Sequence, residues 1–73
     1  MKVNEVLSLI SPLVAPEINV YDVKADKDFT YDPDIASNIE YCIVQFGERT
    51  IMKNSLVFGE HDDETPFFHF VVE

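Results

Sequence analysis

Seventy-three residues carry fourteen carboxylates against five basic side chains, a formal charge of −9 at neutral pH. A chain this short makes a single domain, residues 1–73, that hides roughly 60% of its unfolded surface, and one cysteine excludes an internal disulfide. The negative field disfavours direct binding of nucleic acid or anionic membrane and steers the protein towards basic surfaces. A hydrophobic fraction of 47%, with six Phe and three Tyr, argues against disorder, because disordered acidic chains are poor in such residues.

Val3, Val6, Leu7 and Ile10 recur at helical spacing with polar residues between them, which predicts an amphipathic helix over about 3–11. Pro12 disfavours its continuation. Ile18 to Val23 is rich in β-branched and aromatic residues and reads as the first strand, with Ile18, Val20 and Asp22 on one face. Lys24 to Asp34 is polar and reads as a loop. Asp32-Pro33-Asp34 is a helix-start signal, and the four-residue spacing of Ile35 and Ile39 allows a second short helix of one or two turns across 33–39.

Glu40 to Phe46 is nearly continuous in apolar residues, the pattern of a central strand covered on both faces. Gly47-Glu48-Arg49 then reads as a hairpin turn, Thr50–Phe58 as a strand interrupted near Asn54-Ser55, Gly59–Pro66 as a polar loop, and Phe67–Val72 as the last strand. The expected fold is therefore α+β: an N-terminal helix packed on a small, mainly antiparallel sheet of three to four strands, the last three in a meander. Phe67, His69 and Val71 alternate with Phe68, Phe70 and Val72, so neither face of the last strand is plainly polar. One small helix covers one face, which makes Phe67, His69 and Val71 candidate apolar contacts.

No catalytic signature is legible, so no enzyme is expected. Two glycines cannot build a phosphate-cradling loop or a nucleophile elbow. Asp26 to Asp32 superficially resembles a calcium loop, yet its sixth position holds Tyr31 where glycine is needed and its twelfth holds Ser37 where glutamate is needed. Glu60, His61, Asp62, Asp63 and Glu64 place an imidazole among carboxylates, and His69 could join them from the adjacent strand. Neighbouring residues rarely converge on one ion, however, and no metal-ligand spacing occurs, so neither metal nor cofactor is expected. Cys42 has no activating neighbour in the sequence and reads as a buried small hydrophobe.

The acids fall into two groups: Asp22, Asp26, Asp28, Asp32 and Asp34, and the last-loop cluster Glu60, Asp62, Asp63 and Glu64. If both lay at one end of the sheet they would form an anionic patch able to dock on a Lys/Arg-rich surface, as in proteins that imitate the phosphates of DNA. Glu60, Asp62, Asp63 and Glu64, then Asp26 and Asp28, are the candidate partner-binding acids.

The opening MKVNEVLSLISP followed by INVYDV resembles the layout of short proteins of Gram-positive phages and prophages, which begin with a small helix and continue into a strand ending near Tyr-Asp. The resemblance covers about the first third of the chain. It implies an accessory protein acting on a host or viral partner, and carries over no catalytic residue. The sequence as a whole predicts a non-enzymatic acidic protein-interaction domain whose partner has a basic surface. An inhibitory mimic of DNA and a small structural homo-oligomer, such as a homodimer, are the other readings. No export signal or membrane-spanning run is legible, so a cytoplasmic location is expected.

Overall fold

The computed structural model describes residues 1–11 and 13–73. It is a small α+β fold of two helices on a four-stranded mixed sheet: α1 (Val3–Leu7), β1 (Glu17–Asp22), β2 (Lys27–Tyr31), α2 (Asn38–Phe46), β3 (Val57–Glu60) and β4 (Pro66–Val72). The strand order is β2-β1-β4-β3. The β1/β2 and β3/β4 pairs are antiparallel, whereas β1 and β4 run parallel at the centre.

The amphipathic N-terminal stretch forms its helix, with Val3 and Leu7 fully buried. Glu5 Oε1 accepts the Lys2 N–H at 3.2 Å and so satisfies one free donor at the start. The helix is shorter than expected. After Ser8 the bonds tighten to three-residue spacing, from Leu9 N to Val6 O and from Ile10 N to Leu7 O, as at a closing helical end.

β1 takes the expected alternation, with Ile18, Val20 and Asp22 all buried. The polar segment after it is not a loop. Lys27–Tyr31 is β2, and Phe29 and Tyr31 pack against the core while Asp28 and Thr30 point away. The hairpin is fixed by Asp22, whose Oδ1 accepts from the Lys24 and Ala25 N–H groups at 3.0 and 3.4 Å, and by Asp26 in the left-handed region (φ 51°).

Glu40–Phe46, expected as a strand, lies in α2. Asn38, Cys42 and Phe46 are buried at four-residue spacing, and Ile39 and Ile43 flank them at the core. The remaining apolar residues, Tyr41 and Val44, are exposed. Nor does the second helix occupy 33–39. Asp32 Oδ1 accepts from Asp34 N at 2.9 Å, as an N-cap would, but the chain makes only a turn there and the helix begins at Asn38. Asn38 is itself buried and donates to Pro16 O at 2.7 Å, tying the helix start to the segment entering β1.

The final meander is absent too. Thr50 and Ile51 make single bridges, to Lys2 and Val72. A turn at Lys53-Asn54 (Asn54 φ 66°) separates them from β3, so the interruption expected near Asn54-Ser55 is real. β4 pairs with β3 on one side and β1 on the other, so the second half of the chain contributes one hairpin, β3/β4, in place of a three-stranded meander. Arg49 locks the end of the sheet: its guanidinium reaches Asp22 at 2.8 and 3.2 Å and its Nε donates to Glu73 O at 2.8 Å. The core formed by α1, α2, β1, β4 and Ile51 thus lies on one face of the sheet.

Candidate functional site

Because strands alternate their side chains, the same register that buries Ile18, Val20, Phe70 and Val72 sets a second row on the opposite face. That row comprises Glu17, Asn19 and Tyr21 of β1, Phe67, His69 and Val71 of β4, Asp28 and Thr30 of β2, and Val57 and Gly59 of β3. Both helices belong to the other side, where the core cluster lies. Phe67, His69 and Val71 are half-buried and form the central row of the open face.

The last loop folds against one end of this face. His61 Nε2 lies 2.6 Å from Glu17 Oε2, and the His69 Nε2 lies 3.5 Å from the same oxygen. The second contact lacks hydrogen-bond geometry, and the His69 Nε2 is shielded from solvent without a partner. Phe67 sits between the imidazoles, with ring centroids 4.9 Å from His61 and 4.8 Å from His69. The His61 contact above all holds the Glu17 carboxyl below its ordinary range. Gly59 packs closely beneath Phe67: a Cβ there would meet the tip of the ring at 3.0 Å, so the ring would have to shift. The loop is ordered within itself: Asp63 Oδ1 accepts the Thr65 N–H at 3.0 Å, which lowers the Asp63 pKa, and His61 N donates to Thr65 O at 2.9 Å.

Glu60, Asp62, Asp63 and Glu64 are exposed around this loop, at the Glu17 end of β1. Asp26 and Asp28 are exposed at its Asp22 end, where the Tyr21 hydroxyl donates to Asp26. The ends of β1 are about 16 Å apart at roughly 3.3 Å per residue. The two acidic groups therefore do not merge into one anionic patch; they bracket a face whose central rung is Thr30, Asn19, His69 and Val57, with Phe67 and Val71 on either side of His69. Across that centre Asn19 Nδ2 donates to Thr30 Oγ1 at 3.0 Å.

Among the described residues, no group of three or more His, Cys, Asp or Glu is arranged to hold a metal ion. Cys42 is buried in α2, and burial pushes its thiol up to about 12, so at neutral pH it is a protonated packing group.

Sequence reasoning missed a second feature, on the helical side. A groove of about 410 Å³ between the α1 exit and the start of α2 is lined by Leu7, Ile10, Val14, Ile35, Ile39 and Ile43, with Glu40 at its border. Its residues are scattered from position 7 to position 43, and it exists only because Glu40–Phe46 is helical. No helix is long and apolar enough to cross a membrane, among the described residues. Searches of family models, curated proteins and solved structures find no match to the chain.

Proposed function

We propose that the chain is a non-enzymatic protein-binding domain whose partner lies across the open face of the sheet. The observation that carries this reading is the arrangement of that face: a half-buried row of Phe67, His69 and Val71, with exposed acids at both ends. A complementary partner presents apolar groups to Phe67 and Val71 and polar groups to Asn19 and His69 between them, flanked by two basic groups about 16 Å apart, the span of β1. The chain's charge of −9 speeds encounter with such a surface, and the apolar row supplies the contact that persists after encounter. The phage-like layout of the first third makes a host or viral protein the expected partner.

The test is capture from host lysate followed by binding measurements on the purified partner. Reversing Asp62 and Asp63 to Lys should weaken binding, reversing Asp26 and Asp28 should weaken it separately, and the fourfold change should abolish it. Affinity should also fall steeply with salt. Binding that survives both reversals unchanged would discard the open face as the contact surface.

A further inference from the structure

The two edges of the sheet are unlike. β2 carries Lys27 and Asp28 at its start, and its Tyr31 carbonyl accepts from Asn38 Nδ2 at 3.4 Å. Charges of this kind blunt an edge against pairing. β3, at the other edge, is bonded to β4 alone and bears no charge before Glu60. The line of chain leading to it is already covered at its far end, where Ile51 N donates to Met1 O at 2.8 Å and Lys2 bridges Thr50. The helices leave β3 bare: Phe58 lies on the helical side of the sheet yet is 70% exposed, and Val57 is 54% exposed. Phe58 stacks on Phe68 of β4 at 6.3 Å with the rings 26° apart, the start of an aromatic row that ends at the edge.

We propose that the β3 edge pairs with β3 of a second copy of this chain, antiparallel and about a two-fold axis through Phe58, to give a continuous eight-stranded sheet. The register follows from symmetry. A two-fold perpendicular to the sheet keeps the helical faces on one side, so opposed residues must share a face, and Phe58 stands opposite the partner's Phe58. The row then runs Phe68–Phe58 and on through the same two rings of the second copy, cross-strand aromatic pairs being among the better stabilisers of a sheet. Val57 faces the partner's Gly59. Centring the axis on Gly59 instead would set Phe58 against the partner's Glu60.

No like charges stand directly opposite one another at the joint. The two Glu60 carboxylates would sit four residues apart along the ladder, about 13 Å, beyond the screening length of about 8 Å at physiological salt. The acidic loop and the Asp26–Asp28 turn lie off the joint. The contact is short, so the dimer is weak and concentration-dependent.

The experiment is sedimentation of the full chain alone, from low micromolar to near-millimolar concentration and at low and high salt. The mass should rise from monomer towards dimer with concentration, and salt should not reverse it. Phe58→Lys should stay monomeric with an unchanged circular dichroism spectrum. Phe58→Cys should form a disulfide-linked dimer under mild oxidation, since the opposed Cβ atoms would lie about 5 Å apart, while Cys42 stays buried in the core. Val57→Cys, whose copies would be diagonal neighbours about 8 Å apart, beyond the Cβ separation of a disulfide, should not cross-link. A monomer at every concentration overturns the proposal, and so does cross-linking of Val57→Cys as readily as Phe58→Cys. Because no other protein is present, either result is independent of whether a partner binds the open face.

Discussion

β4 presents two different surfaces from one strand. Phe70 and Val72 are sealed beneath the helices, while Phe67, His69 and Val71 remain half-buried on a face that no helix covers. β1 divides likewise, into Ile18, Val20 and Asp22 on one side and Glu17, Asn19 and Tyr21 on the other. What distinguishes the faces is coverage more than hydrophobicity, since both sides of β4 are rich in apolar groups. The covered face supplies stability. The open face is stabilised by lateral contacts within the sheet and is free to supply recognition.

Substitutions on the covered side should be the most damaging. Leu7→Ala removes a fully buried side chain and should cost about 2–5 kcal/mol. That is a large part of the roughly 4–11 kcal/mol expected for a domain of this length; a urea titration should show most of the cooperative transition lost. An unchanged midpoint would mean that α1 does not contribute to the core. Asn38→Ala should cost less, about 1–3 kcal/mol, through the stranded Pro16 carbonyl. Thermal melting reads this loss directly.

Acid should separate the faces without cavities. Asp22, on the covered side, is held below its ordinary value of 3.8 chiefly by Arg49, and Glu17, on the open side, below 4.5 chiefly by His61. A depressed carboxyl stabilises the fold above its unfolded-state pKa and loses that contribution as pH falls through its folded-state pKa. The urea midpoint should therefore decline first as pH passes below 4.5 and further below 3.8. Glu17→Gln should remove the upper part of this decline and Asp22→Asn the lower; identical pH profiles for both variants and wild type would refute the assignment. The smallest effect belongs to the open face. Thr30→Ala deletes the Asn19–Thr30 hydrogen bond and should cost about 0.5 kcal/mol, and a loss comparable to that of Leu7→Ala would show that the open face is structural after all.

Some of this architecture is local and could be read from the chain. β1 and β4 declare themselves by β-branched and aromatic residues, α1 by its apolar period, and the break before β3 by Asn54. The helix over Glu40–Phe46 was also marked, by Ser37 ahead of it and Gly47 just after it, signals that a nearly continuous apolar run concealed. Short apolar runs fit a buried strand and a buried helix equally well. β2 was hidden because three charges from Asp26 to Asp28 masked the alternation of Phe29 and Tyr31.

The candidate acids and the Phe67–His69–Val71 row were legible because composition and two-residue periodicity are properties of the chain itself. Their arrangement was not. That Glu17 meets both histidines, that the acids fall at opposite ends of β1, and that β3 is left as a bare edge follow from the parallel pairing of β1 with β4. That pairing joins segments some fifty residues apart in sequence, and it is set by how one pair of small helices can cover one face of four strands. Local sequence determined which segments could form strands and which faces were apolar; tertiary packing alone decided which of those faces and edges stayed open.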